Sequence, residues 1–194
     1  MKILAIETST ESASVALLHG DVVLERDVAG RTHSETLLPT IRQLLLDGGI
    51  PLADLDAIAF SAGPGAFTGL RLGCGAAQGL AIGTGKPLIP IGTLEALASQ
   101  CPEENVFVVA DARMSEVYFA AYRRQGDALV EFQAAACAAP GAVVLPEEGT
   151  WFGFGSGFGV YRDSLPAALG NRLLAFDESP LPRAASVARL AAAR

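Results

Sequence analysis

The sequence predicts an α/β protein of two tandem ribonuclease-H-like lobes, each a mixed sheet with flanking helices. Three observations predict it. Residues 2–100 read as three apolar runs followed by strand–helix alternation, in the order βββαβαβα. A second set of apolar runs begins after Pro102 in a similar order. Of the 194 residues 51% are apolar and 18% charged, enough apolar material for a core in each lobe. The boundary is read at Cys101-Pro102, giving lobes over 1–101 and 102–194.

The elements follow in order. Lys2–Ile6, Ser14–Leu18 and Val22–Val28 are short apolar runs joined by tight turns such as His19-Gly20-Asp21, an antiparallel meander. Thr32-His33-Ser34-Glu35 fits a capping box, with Thr32 as N-cap and Glu35 three residues on. After it Leu37, Leu38, Ile41, Leu44 and Leu45 fall on one helical face, with Leu46 off that face. Pro39, on the opposite side, is expected to bend this helix or mark its start. Gly48-Gly49 and Pro51 end it. Next come a strand over Ala57–Phe60, a glycine-rich helix within Ser61–Gly85, a strand over Leu88–Ile91 and a short helix from Thr93.

In the second half Val106–Ala110, Val117–Tyr122 and Ala128–Phe132 repeat the meander, with Gln125-Gly126-Asp127 as a turn. Ala134–Pro146 is alanine-rich and ambiguous. Trp151–Phe154 reads as a strand, and helices are expected near Val160–Leu169 and over Ala184–Ala193.

Composition excludes several function classes. The uncharged stretch Leu72–Thr84 is shorter than the roughly 20 residues of a membrane span and is broken by glycines, and no other uncharged run reaches a span's length. The start runs straight into a strand with no signal-peptide layout, so a cytosolic protein is expected. Cys74, Cys101 and Cys137 are odd in number and widely spaced, which reads as three reduced, mostly buried thiols. A net charge of −7, with no basic run longer than Arg123-Arg124, argues against a primary nucleic-acid reader.

Detailed catalytic templates fail on named residues. A P-loop ending at Gly85-Lys86 would need glycine where Leu80 stands and a hydroxyl where Pro87 stands. Gly63-Pro64-Gly65 with Gly69 departs from the dinucleotide fingerprint, and no acidic residue follows the next strand. An anion at this helix start stays open on the residues alone. The only histidines, His19 and His33, lie on different segments, and no zinc or nucleophile-elbow motif occurs. Glu7 and Asp111 end the first strand of each lobe. In a two-lobed ATPase such residues face a nucleotide cleft; elsewhere they are strand-end polar groups in solvent.

The glycine helix carries the sharper signal. Glycine costs a helix interior roughly 0.5–1 kcal/mol against alanine, so something must offset it. At 100° per residue Gly69, Leu72, Gly73, Ala76, Gly79, Leu80 and Gly83 share one face, with Arg71 and Gln78 opposite. This groove of small residues fits another helix, either the protein's own preceding helix or one from a partner chain. So many glycines favour the partner.

Ile3–Thr10 (ILAIETST), His33–Pro39 (HSETLLP), Ser61–Arg71 (SAGPGAFTGLR) and Asp111-Ala112-Arg113 together resemble the TsaB (YeaZ) family of bacterial proteins of tRNA threonylcarbamoyladenosine biosynthesis. Ala66 stands where serine is usual. The resemblance is dense over residues 1–120. It implies tandem lobes of the acetate kinase, sugar kinase, Hsp70 and actin class. It implies a non-catalytic scaffold in the complex that modifies adenosine beside the anticodon of ANN-decoding tRNAs. That scaffold pairs with a TsaD-like catalytic subunit, alongside a TsaE-like ATPase, and with itself when alone. Contact with tRNA is made mainly through the complex, and no membrane is involved.

The implied contact surface uses the helices of the first lobe, adding Leu37, Leu38, Ile41 and Leu45 to the glycine groove. The cleft residues it implies are Glu7, Thr8, Ser9, Asp111 and Arg113. The metal-binding histidines of the catalytic paralogue are missing, and Glu7-Thr8-Ser9 replaces the Asp-x-Gly of a phosphate hairpin. No cofactor is therefore assigned to the chain, ATP or ADP at a subunit interface being the one nucleotide reading. The competing class is a phosphotransferase or peptidase of the same fold. Enlarging Gly73 or Ala76 is expected to abolish partner association without unfolding the chain.

Overall fold

The computed structural model describes residues 1–29, 33–126 and 128–194. The capping residue Thr32 and the turn residue Asp127 lie outside them. The chain divides into two compact units, Met1–Ala96 with Pro182–Arg194, and Leu97–Leu181.

The first unit holds β1 (Lys2–Glu7), β2 (Ser14–His19), β3 (Val22–Asp27), α1 (His33–Asp47), β4 (Ala57–Ser61), α2 (Phe67–Thr84) and β5 (Leu88–Ile91). Its sheet order is β3-β2-β1-β4-β5. The first three strands are antiparallel, and β1, β4 and β5 run parallel. Alternation along β1 divides the core. Leu4 and Ile6 meet the buried residues of α1 (Leu37, Ile41 and Leu44) and of α2 (Ala77 and Ala81) on one face. Ile3 and Ala5 point to the other. Pro39 lies inside α1, the helix beginning six residues before it, so it does not mark the start.

On the second face lies a helix from the far end of the chain. The last helix, over Ala184–Ala192, buries Ala184, Val187, Ala188 and Ala191 against Ile3, Ala5, Ala16 and Leu18. Arg183, just before it, pairs with Glu25 and Asp27 of β3, and the Ala184 amide donates to the buried Ser14 hydroxyl. The expected second lobe over 102–194 is corrected accordingly, because residues 182–194 complete the first unit. The physical reason is the small apolar stripe of this helix, which fits a sheet face otherwise left bare.

The short α3 (Thr93–Ala98) leads into the second unit. This contains β6 (Asn105–Arg113), β7 (Glu116–Gln125), β8 (Ala128–Ala138), β9 (Trp151–Phe154), α4 (Gly157–Val160), α5 (Ser164–Leu169) and β10 (Leu173–Asp177). The terminal helix, Ala184–Ala192, is α6. The second sheet has the order β10-β9-β6-β7-β8. Its β6, β7 and β8 are antiparallel, while β6, β9 and β10 are parallel. Read from the other edge this is the topology of the first sheet, so the tandem-lobe class holds.

Three details differ from the sequence reading. The ambiguous alanine run supplies the end of β8, β10 is an additional strand, and the expected helix near Val160–Leu169 is two short ones. The thiols are free as expected, but only Cys101 is buried, since Cys137 sits on the edge strand β8 and Cys74 is half-buried.

The glycine helix α2 has complementary ends. Gly85 closes it in the left-handed region, φ 66°. Its N-cap, Ala66, has the extended backbone of a capping residue and no side-chain acceptor. Ala66→Ser should therefore stabilise the first unit by about 1 kcal/mol by capping a free amide of the first turn. Chemical denaturation of the two chains followed by circular dichroism checks this.

Candidate functional site

Three residue groups warrant description: the end of β1 against the start of α2, the β6–β7 hairpin tip, and the outer surface of α1 and α2. The first two belong to different units.

At the end of β1 the chain turns beneath the first two turns of α2. The Thr8 hydroxyl donates to the Gly69 carbonyl at 2.8 Å, and the Ala66 amide donates to the Ser9 carbonyl at 2.7 Å. The contact is so close that a methyl group added at Gly69 would overlap the Thr8 carbonyl oxygen, and one at Gly73 would overlap the Thr8 hydroxyl. Gly65 meets Ser9 in the same way. The loop between β4 and α2 is tied down separately, the Thr93 amide donating to the Gly63 carbonyl at 2.8 Å.

Thr8 and Ser9 thus lie against α2, and Glu7, Thr8 and Ser9 are all buried, with at most 2% of their surface exposed. The Ser9 amide donates to Glu7 Oε1 at 2.5 Å, while the buried Oε2 has no partner among the described residues. Burial holds the Glu7 carboxyl above the ordinary carboxylate range, against the opposing pull of its hydrogen bonds with Ser9 and Ser61. Of the two sequence alternatives for Glu7, the solvent-exposed one does not hold, since the residue is buried. Thr8 and Ser9 pack against α2.

Asp111 and Arg113 lie in the other unit, at the tip of the β6–β7 hairpin. The Arg113 amide donates to Asp111 Oδ1 at 3.0 Å, and its guanidinium lies 3.4 Å from Asp111 Oδ2. Asp111 thereby braces a turn in which Arg113, Met114 and Ser115 all have positive φ, 64°, 50° and 63°. Among the described residues no group of three or more His, Cys, Asp or Glu could hold a metal.

The outer surface of α1 and α2 is different in character. An apolar hollow of about 560 Å³ opens between them, walled by Leu38, Leu45, Leu46, Ile50, Leu52 and Leu80, with Arg42 at its edge. Leu38 and Leu46 are 53% and 65% exposed, high for large apolar side chains. On α2, Gly79 and Gly83 have nothing within contact range of an added methyl group, and neither does Gly75.

The expected contact residues therefore divide. Leu37 and Ile41 are core residues, and Gly69 and Gly73 are small because Thr8 is there, so the partner explanation of those two glycines is corrected. Gly73 cannot report on docking, since enlarging it strikes Thr8. Leu38, Leu45, Leu72, Ala76, Gly79, Leu80 and Gly83 remain at least partly exposed. Arg42, Leu46, Ile50 and Leu52 were not among the expected residues. Leu46, an apolar residue off the core-facing stripe, was the available signal.

Known proteins resemble this chain along most of its length. The profile of the family described as TsaD, tRNA N6-adenosine threonylcarbamoyltransferase, matches residues 19–151. A Haemophilus influenzae protein named tRNA threonylcarbamoyladenosine biosynthesis protein TsaB is 47% identical over 130 residues, 64% of this chain and 55% of that one. The chain thus matches little more than half of that relative. The Escherichia coli protein of the same name is 37% identical over 177 residues, 84% of this chain and 74% of its own length. The solved structure of YeaZ from Pseudomonas aeruginosa superposes with a TM-score of 0.88 at 38% identity, covering 98% of this chain and 90% of that one.

Two outcomes follow from the geometry. Gly69→Ala should lose at least about 2 kcal/mol of stability through overlap with Thr8, whereas Gly79→Ala, open on its outer side, should gain about 0.5–1 kcal/mol; urea titration of both variants compares them. Glu7 has a raised folded-state pKa, so its contribution is fully present below its unfolded value of about 4.3 and is lost as pH rises toward the folded value. The stability of Glu7→Gln relative to wild type should thus rise as pH increases above the unfolded value of about 4.3, measured by denaturation at each pH.

Proposed function

The chain belongs to the TsaB family, and we propose that it is the non-catalytic scaffold of a complex forming N6-threonylcarbamoyladenosine beside the anticodon of ANN-decoding tRNAs. In this reading the chain docks on a TsaD-like catalytic subunit through the outer surface of α1 and α2. A TsaE-like ATPase completes the set, tRNA is held mainly by the partners, and the chain pairs with itself when alone. ATP or ADP is assigned to a subunit interface and not to the buried end of β1. The complex acts in the cytoplasm; no helix among the described residues is long and apolar enough to cross a membrane.

The observation that carries the reading is the exposed surface itself. An apolar hollow lies beside glycines that nothing among the described residues packs against. Exposed leucines at this density are costly in water and gain on burial at roughly 25 cal/mol per Å². Open glycines let a neighbouring backbone approach closely, which gives their cost in helix propensity a return. The close packing of Thr8 and Ser9 against α2, at the strand end that would carry phosphate chemistry, supports the non-catalytic part.

Reconstitution tests the reading. The catalytic subunit, the ATPase and unmodified tRNA should form the modified nucleoside only when this chain is added. Gly79→Leu and Leu46→Asp should each remain folded and lose at least about ten-fold in affinity for the catalytic subunit. Full modification without the chain, or undiminished co-elution of both folded variants, would overturn it.

A further inference from the structure

Among the described residues Arg42 is the one charged residue lining either of two adjoining hollows on α1. The first, of about 560 Å³, is walled by α1, α2 and the segment after α1. The second, of about 530 Å³, lies across the helix beside Pro39 and Gln43. Leu38, Arg42 and Leu46 border both. Their spacing of four residues places them on a single ridge, about 12 Å from first to last. Among the described residues Arg42 has no ion-pair or hydrogen-bond partner, and it is exposed. The ridge is thus a cation held between two leucines, with an apolar hollow on either side.

We propose that this ridge selects its partner: it receives a helix of a different chain carrying a carboxylate with a large apolar residue four positions before and four after it. The inference rests on the docking reading above. Charge and register favour that occupant over a second copy of this chain. In an isologous, antiparallel pair, the register that sets leucine against leucine is centred on Arg42. It brings the two Arg42 side chains together on the symmetry axis, and like charges there are unfavourable. The acids of α1 are Glu35 and Asp47, and Asp47 is already engaged by Arg26 and Gln43. A register that sets Glu35 opposite Arg42 carries Leu46 past the start of the partner's helix, forfeiting half of the apolar ridge. A foreign helix with the stated pattern satisfies both the leucines and the cation.

The experiment measures two affinities for wild type, Arg42→Leu and Arg42→Glu. One is for the purified TsaD-like catalytic subunit, by calorimetry at two salt concentrations. The other is self-association, by sedimentation equilibrium. All three chains should be folded, since Arg42 has no described partner to lose. Binding to the catalytic subunit should fall about ten-fold in Arg42→Leu and further in Arg42→Glu. The salt dependence of the wild type should disappear in Arg42→Leu. Self-association of Arg42→Leu should strengthen. If all three chains bind the catalytic subunit equally, the proposal is overturned while the docking reading stands. If self-association falls in parallel with heterologous binding, a second copy occupies the ridge and the proposal is likewise overturned. If wild type forms no complex with the catalytic subunit, the docking reading fails and this inference with it.

Discussion

The carbonyl and hydroxyl of Thr8 lie so close to α2 that no side chain fits between them at Gly69 or Gly73. Much of the first unit follows from this contact. It fixes the distance between the sheet and the first two turns of α2. It buries Thr8 and Ser9 against the start of the helix. A strand end of this kind commonly provides polar groups at the carboxyl edge of a parallel sheet. Here Thr8 and Ser9 at that position pack against the protein's own helix.

The glycines of α2 consequently have two separate causes. Those of the first turns, Gly69 and Gly73, are small on their inner side, where Thr8 presses against them. Those further along are small on their outer side, where nothing among the described residues meets them. Ala77 and Ala81, buried like Gly73, seat the helix on the sheet. The helix can therefore be held close on one side while remaining open to close approach on the other. The leucines of α1 divide similarly, Leu37 and Leu44 inward and Leu38 and Leu46 outward.

Sequence pattern carried the strand–helix order of both lobes well, because alternation and apolar runs report burial directly. The repeated topology was readable in the same way. What it could not carry was which sheet a late helix returns to, since α6 has an apolar stripe that either unit could use. Alanine has little strand preference, so the end of β8 was invisible. The small-residue face of α2 was found by projection, but projection reports an angle and not a neighbour. Gly73 and Gly79 looked equivalent until Thr8 was seen beside only one of them. Arg42 was missed for a related reason: a charged residue on an outer face reads as solvated unless the leucines around it are also known to be exposed.

The placement of α6 has a bearing on the order of events during synthesis. The second unit is one continuous stretch, Leu97–Leu181, and all of it leaves the ribosome before residues 184–192 do. The first unit has its strands and the helices α1 and α2 early, yet one face of its sheet stays uncovered until that last segment emerges. The lobe made first is thus the lobe finished last. During that interval α1 and α2 rest on a half-covered sheet, whose second face awaits the arrival of α6.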